Sequence, residues 1–337
     1  MTKSICIINT GGTIGMSRGS SGLQPEKGYL ARQMERMYEL SNEVMPTYTI
    51  IDYEPLLDSS NMTPNDWFSI AETIKSNYED YDGFVVLHGT DTMAYTSSAL
   101  PFMLPGLSKS VVITGAQIPL GQVRNDAREN LKTAMLIAAN YRIPEVSLFF
   151  GEVLLRGCRA SKVSANKLDA FASPNFLPLG TAETEIKIFQ DRVLKPDVRP
   201  FDTHRFGDAE VATFRLFPGM SIDILSNLLR RPLQGLVIES FGVGNGPSNN
   251  KAFLKVVEDA VDAGTVIVNC TQCRHGAVIQ TNYATGTALS DAGVVSGHDM
   301  TIEAALAKLL YLFSLELSQD EIRKKVGESL VGELTGG

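Results

Sequence analysis

Two glycine turns in this chain each deliver a threonine hydroxyl. Asn9-Thr10-Gly11-Gly12-Thr13-Ile14-Gly15 follows the apolar run Ile5-Cys6-Ile7-Ile8, and His88-Gly89-Thr90-Asp91-Thr92 follows Val85-Val86-Leu87. Glycine lets a backbone turn sharply and leaves the next side chain exposed. A hydroxyl is a poor nucleophile until a base removes its proton. Lys162, in the segment Arg156-Gly157-Cys158-Arg159-Ala160-Ser161-Lys162, can take or relay such a proton if it is buried near Asp91. Thr13, Thr90, Asp91 and Lys162 are a sufficient kit for metal-free amide hydrolysis, with N–H groups of the glycine turns as oxyanion stabilisers. Asp58-Ser59-Ser60 adds a polar loop suited to contacting substrate.

Taken singly, these features have ordinary structural readings. Thr and Asp are favoured helix N-caps, a loop lysine is normally a solvated charge, and Asp58-Ser59-Ser60 reads equally as a turn before a helix start at Thr63. Competing kits fit less well. A dinucleotide loop needs GxGxxG, but Thr13 stands two residues after Gly11, and the lysine of a phosphate loop is missing. The four histidines, His88, His204, His275 and His298, do not make an HExxH pattern. Cys270-Thr271-Gln272-Cys273 is a CxxC without the second ligand pair that a zinc site needs, so no metal is expected.

The elements that must position these residues follow from periodicity. Short apolar runs at 5–9, 49–53, 83–87, 110–114 and 146–150 lack polar alternation, as strands buried on both faces do. Between them lie helical patterns, one starting at Thr63-Pro64 and others over 92–104 and 127–140. Alternating strand and helix implies a mainly parallel sheet flanked by helices. The pattern breaks from 181 to 210, where prolines and charges read as a linker or loop-rich edge. It resumes with strands near 211–217, 236–240 and 266–269 and helices near 221–229, 251–263 and 301–313. The expected fold is α/β: a larger N-terminal catalytic domain over 1–185, a linker over 186–212 and a smaller C-terminal α/β domain over 213–337.

Composition narrows the function class. With 44% hydrophobic and 20% charged residues among 337, the chain has the balance of a soluble globular protein. A net charge of -8 without a basic cluster argues against a nucleic-acid partner. No apolar run is long enough to cross a bilayer. The apolar start is too short for a signal-peptide core and lacks a cleavage site, which points to the cytoplasm.

The quoted segments resemble the bacterial asparaginase/glutaminase family. Asn9-Thr10-Gly11-Gly12-Thr13-Ile14 and His88-Gly89-Thr90-Asp91-Thr92 are similar to its two signature segments. Asp58-Ser59-Ser60, Gly115-Ala116-Gln117, Arg124-Asn125-Asp126 and Gly242-Val243-Gly244-Asn245 follow in the family's order. The resemblance implies hydrolysis of L-asparagine to L-aspartate and ammonia, without a cofactor. It implies that Thr13 is the nucleophile, beside Gly12, and that Thr90, Asp91 and Lys162 form the second catalytic cluster. It further implies that Asp58, Ser59 and Ser60 form the substrate loop with Ser59 on the α-carboxylate, that Asp91 binds the α-amino group, and that the backbone near Ala116 meets the side-chain amide. Asn245 resembles a residue contributed by a neighbouring copy in a homotetramer built as a dimer of dimers. The segment 241–245 and the N-terminus are similar to the type I, cytoplasmic branch.

Two positions depart from that pattern. Leu23 stands where the family usually has a tyrosine on the mobile loop, and Tyr29 is the nearest tyrosine. Ser161, Thr271 and Cys273 resemble an effector pocket for a second asparagine, but Glu239 stands where an arginine would hold its carboxylate. Like charges weaken such binding, so a hyperbolic response to asparagine is expected. A broader amidase or glutaminase remains an alternative, as does a non-catalytic amino-acid sensor on the same fold.

Overall fold

The computed structural model describes residues 2–19, 22–230, 233–279 and 284–336. The chain divides into two compact units. The first comprises Met1–Ser173 and Leu177–His204, the second Pro174–Phe176 and Arg205–Gly337.

The first unit holds an eight-stranded sheet in the order Ile186–Ile188, Gly180–Ala182, Val153–Arg156, Val146–Phe150, Ser110–Thr114, Gly83–Leu87, Ser4–Gly11, Thr47–Leu57. The last five run parallel to one another. Gly83–Leu87, Ser110–Thr114 and Val146–Phe150 are buried at every residue, which is why they show no polar alternation. Helices Pro64–Ser76, Met93–Met103 and Ala127–Asn140 connect these strands. Pro64–Ser76 buries Trp67, Ile70, Ala71 and Ile74 at helical spacing. It starts where the Thr63 N–H donates to the Asp66 carboxylate at 2.7 Å.

Numbered in chain order, the five parallel strands lie 2-1-3-4-5. Connections leave the first strand in opposite directions, so a crevice opens between Ser4–Gly11 and Gly83–Leu87 at their carboxyl ends. Ligands of open parallel sheets bind in such a crevice. Both threonine segments emerge there.

Three antiparallel strands at the other edge, Val153–Arg156, Gly180–Ala182 and Ile186–Ile188, were not evident in the periodicity. The stretch expected as a linker from 186 therefore begins inside the sheet, and residues up to His204 belong to the first unit. The reason is a buried ion pair distant in sequence. Arg156 Nε lies 2.7 Å from Glu145 Oε2; Arg156 also donates to Arg192 O at 2.7 Å, and Leu194 N donates to Glu145 Oε1 at 2.8 Å. Contacts of this kind tie down a polar segment without leaving any apolar period.

The second unit is a four-stranded parallel sheet in the order Val211–Arg215, Gly235–Ser240, Val266–Thr271, Val295–Ser296. Alternate residues of one strand feed opposite faces, as the pleat requires. Leu236 and Ile238 pack with Leu225, Phe253 and Val257 of helices Ile222–Leu229 and Lys251–Asp262, whereas Val237 packs with Leu309 and Leu312 of Ile302–Phe313. A further helix, Gln319–Val326, begins at a capping box in which Ser318 N donates to Glu321 Oε2 at 2.8 Å.

The C-terminal segment is locked by a second buried pair. Lys308 Nζ lies 2.6 Å from Glu333 Oε1, with the two side chains 1% and 0% exposed. The same carboxylate accepts from Leu330 N and Val331 N. Removing one partner of such a pair strands a buried charge, so Glu333→Gln is expected to destabilise the chain by about 3–5 kcal/mol. Urea unfolding checks this, and a midpoint equal to wild type would contradict it.

Candidate active site

Three strand ends meet through glycines. A Cβ on Gly11, at φ 123°, would lie 2.3 Å from Leu57 O. On Gly12, at φ 86°, it would lie 2.4 Å from Gly89 N and 2.5 Å from Gly89 Cα. On Gly89 it would lie 2.4 Å from Ser59 Oγ. No other residue fits backbones this close. Thr13 and Thr90 each follow one of the touching glycines, so the contact brings both into one crevice, with Ser59 at its side. Asn9 fixes the first turn: its side chain donates to Asp52 Oδ1 at 2.8 Å and accepts from Gly11 N at 3.2 Å. Thr10 Oγ1 ties the same turn to the neighbouring strand by donating to Leu87 O at 2.8 Å.

The second cluster is assembled by hydrogen bonds. Lys162 Nζ donates to Thr90 Oγ1 at 2.9 Å and to Asp91 Oδ1 at 2.7 Å. Thr90 is buried, the Lys162 side chain is 21% exposed and that of Asp91 66%. The ion pair faces solvent and adds little to stability. Its importance is positional: one cation is held against a hydroxyl and a carboxylate at once.

Gln117 completes this cluster, although its residue type gave no reason to single it out beside Ala116. Its Nε2 donates to Ala165 O and Lys167 O at 3.1 and 3.2 Å. Carbonyls only accept, so Oε1 is turned to Thr90 and receives its hydroxyl proton at 3.1 Å. Asp126 holds the turn by accepting from Gln117 N and Ile118 N, both at 2.9 Å. The available sequence signal was Gly115 at a strand end: a Cβ there would lie 2.3 Å from His88 O. Ala116 is buried in this turn.

The other expected residues fall as follows. Thr13 is half-buried at the head of the short turn Thr13–Gly15. Asp58 Oδ1 accepts from Ser60 N at 3.0 Å, and Thr92 Oγ1 donates to Ser59 O at 2.7 Å, which pins the 58–60 loop to the second threonine segment. Leu23 is 44% exposed and pairs with Arg18 in the hairpin of Met16–Gly19 with Gly22–Pro25. Tyr29 begins the helix Tyr29–Met34, its hydroxyl against Gly121, where a Cβ would lie 2.0 Å from the oxygen. Ser161 belongs to the first unit; Asn245, Glu239, Thr271 and Cys273 belong to the second. Glu239 is held by Arg215 at 3.1 Å. Arg274, the nearest cation in sequence to Cys273, is not the residue paired with it.

His88 is fully buried. Its Nδ1 lies 2.7 Å from Gly89 O, an acceptor, so that nitrogen carries the proton, and Nε2 accepts from Thr96 Oγ1 at 2.7 Å. Burial pushes its pKa down to about 4. The imidazole is neutral near pH 7 and pins the Gly89 peptide rather than shuttling protons. Among the described residues no group of His, Cys, Asp and Glu could hold a metal ion, and no helix is long and apolar enough to cross a membrane.

The chain is similar to known proteins along nearly its whole length. Residues 4–194 match the family described as asparaginase, N-terminal, and residues 210–325 the glutaminase/asparaginase C-terminal domain. The chain is 50% identical over 333 residues to L-asparaginase 1 of Escherichia coli (strain K12), covering 99% of this chain and 98% of that one. It is 43% identical over 355 residues to the 60 kDa lysophospholipase of Homo sapiens, covering 99% of this chain and 62% of the relative. The crystal structure of L-asparaginase I from Vibrio cholerae O1 biovar eltor superposes with a TM-score of 0.92 at 44% identity, covering 99% of this chain and 100% of that one.

The depressed His88 pKa links stability to acid. Unfolded, this histidine takes up a proton near pH 6.5; folded, only near pH 4. Between those values the unfolded state binds the extra proton, so stability is expected to fall as pH drops through that window, by up to roughly 3 kcal/mol. Urea unfolding of wild type and His88→Gln across the window checks this. The variant should lose less stability than wild type, and parallel losses would contradict the assignment.

Proposed function

The chain belongs to the asparaginase family, and from that premise we propose that it hydrolyses L-asparagine to L-aspartate and ammonia with its own threonines and no cofactor. The observation that carries the reading is Lys162 Nζ bonded at once to Thr90 Oγ1 and Asp91 Oδ1, in the crevice that the Gly12–Gly89 contact creates.

Thr13 Oγ attacks the side-chain amide carbon as its proton passes to a base. N–H groups of the glycine turns hold the oxyanion, and ammonia leaves once its nitrogen is protonated. Water then cleaves the acyl ester, releasing aspartate and restoring the hydroxyl. Thr90, Lys162 and Asp91 relay the protons. Lys162 must be neutral to accept one, and its Thr90 contact gives the transfer a path. Ser59 suits the substrate α-carboxylate through its hydroxyl, and the open carboxylate of Asp91 suits the α-ammonium group. Gly12, Asp58, Ser60 and Ala116 line the same strand ends.

We further infer a homotetramer in which Asn245 reaches the substrate bound by a neighbouring copy, on the strength of the family resemblance. A cytoplasmic location fits four cysteines, Cys6, Cys158, Cys270 and Cys273, that form no disulfide with one another. With Glu239 where an effector carboxylate would sit, and Arg215 already on it, the response to asparagine is read as hyperbolic.

Ammonia release from asparagine and from glutamine over a concentration series tests the substrate assignment and separates asparaginase from a broader amidase. Thr13→Ala, Thr90→Val and Lys162→Met are each expected to lower kcat by at least about a hundredfold. Wild-type turnover in any one of them removes that residue from the mechanism.

A further inference from the structure

The turn at residues 241–245 has each of its carbonyls held. Phe241 O accepts from Gly244 N and Asn245 N, Val243 O from Ile279 N at 2.9 Å, and Asn245 O from Phe241 N at 3.0 Å. The other two carbonyls are served by side chains of one strand: Thr271 Oγ1 donates to Gly242 O, and Asn269 Nδ2 donates to Gly244 O at 3.0 Å. Asn269 and Thr271 stand two apart on Val266–Thr271 and so project from the same face. Thr271 Oγ1 also accepts from Cys273 N at 3.0 Å, which leaves its proton for Gly242 O.

Packing does not explain this pair. Asn269 is fully buried between apolar strand residues, and its Oδ1 has no partner among the described residues. An unsatisfied buried acceptor costs stability that a leucine or valine would not. What the asparagine supplies is the donor to Gly244 O. The turn needs outside support, because Gly242 and Gly244 sit at φ 50° and 111° and glycines do not hold such a conformation by themselves. Gly244 also lies too close for a side chain: a Cβ would come 3.1 Å from Asn269 Nδ2 and 2.6 Å from Val278 Cγ1.

We propose that Asn269 and Thr271 are positioning residues for Asn245, clamping the turn on its N-terminal side so that the Asn245 side chain meets substrate in one orientation. This rests on the reading that Asn245 contributes to substrate binding. The clamp touches no reacting atom. Loosening it weakens ground-state and transition-state binding alike, which raises KM and leaves kcat unchanged.

The test is steady-state ammonia release by the full-length enzyme for Asn245→Ala, Thr271→Val, Thr271→Ser, Asn269→Leu and the double variant Asn245→Ala/Thr271→Val, with a thermal midpoint for each. Thr271→Val is expected to raise KM about fivefold, the worth of one hydrogen bond, with kcat within about twofold of wild type. Thr271→Ser restores the donor and KM. Asn269→Leu removes the donor together with the orphaned acceptor, and raises KM without lowering the thermal midpoint. The double variant shows no rise beyond Asn245→Ala alone, because the clamp acts only through that residue. Additive rises, or a raised KM in Asn245→Ala beside wild-type values in both clamp variants, overturn the clamp and leave the role of Asn245 standing. A wild-type KM in Asn245→Ala overturns that role and the clamp with it.

Discussion

Everything in the candidate site depends on two backbones touching at Gly12 and Gly89. Adjacent parallel strands lie about 5 Å apart, and side chains at their ends would normally keep the following loops from closing on each other. Here a Cβ on Gly12 would sit 2.4 Å from the neighbouring amide nitrogen. Absence of that atom lets the two turns close, and each turn hands a threonine to the same crevice. Ser59 fills the next gap, where Gly89 leaves room for its hydroxyl. The 2-1-3-4-5 strand order puts this contact where the sheet's connections diverge.

Around that contact, one cation is shared between a hydroxyl and a carboxylate, and the imidazole behind Gly89 is uncharged. Lys162 is tied to Thr90 and Asp91, the Gln117 amide faces Thr90 from the other side, and His88 is buried uncharged behind Gly89. A hydroxyl between an ammonium donor and an amide acceptor has its proton direction set in advance. Passing a proton from Thr90 to a neutral Lys162 turns that hydroxyl from Gln117 to the amine. The remaining polar side chains, Asn9, Thr10, Thr92 and Asp126, bond to backbone and hold the loops.

Much of this was legible in the sequence, for identifiable reasons. Gly83–Leu87, Ser110–Thr114 and Val146–Phe150 are wholly buried, so their apolar runs stood out. Thr13, Thr90 and Asp91 follow strand-ending glycines, a local signal. The edge strands Gly180–Ala182 and Ile186–Ile188 have three residues each, too few for a period to show. Gln319–Val326 buries only Ile322 and Val326, so its apolar pattern was weak despite the Ser318–Glu321 capping box. Gln117 matters through bonds to Thr90, Ala165 and Lys167, and Glu239 is matched by Arg215 across a strand pair. Partners that far apart in sequence leave no spacing to read.

The glycine contact is tested most directly by Gly12→Ala. Backbone, not a rotatable side chain, stands in the way of the new methyl, and its φ of 86° disfavours any L side chain. The quantity to measure is kcat/KM for asparagine, on protein whose circular dichroism shows both sheets intact. We expect a loss of at least about a hundredfold, since displacements near 1 Å at a reacting group have that effect. A folded Gly12→Ala variant with wild-type kcat/KM would show that the two turns need not touch for the threonines to work together.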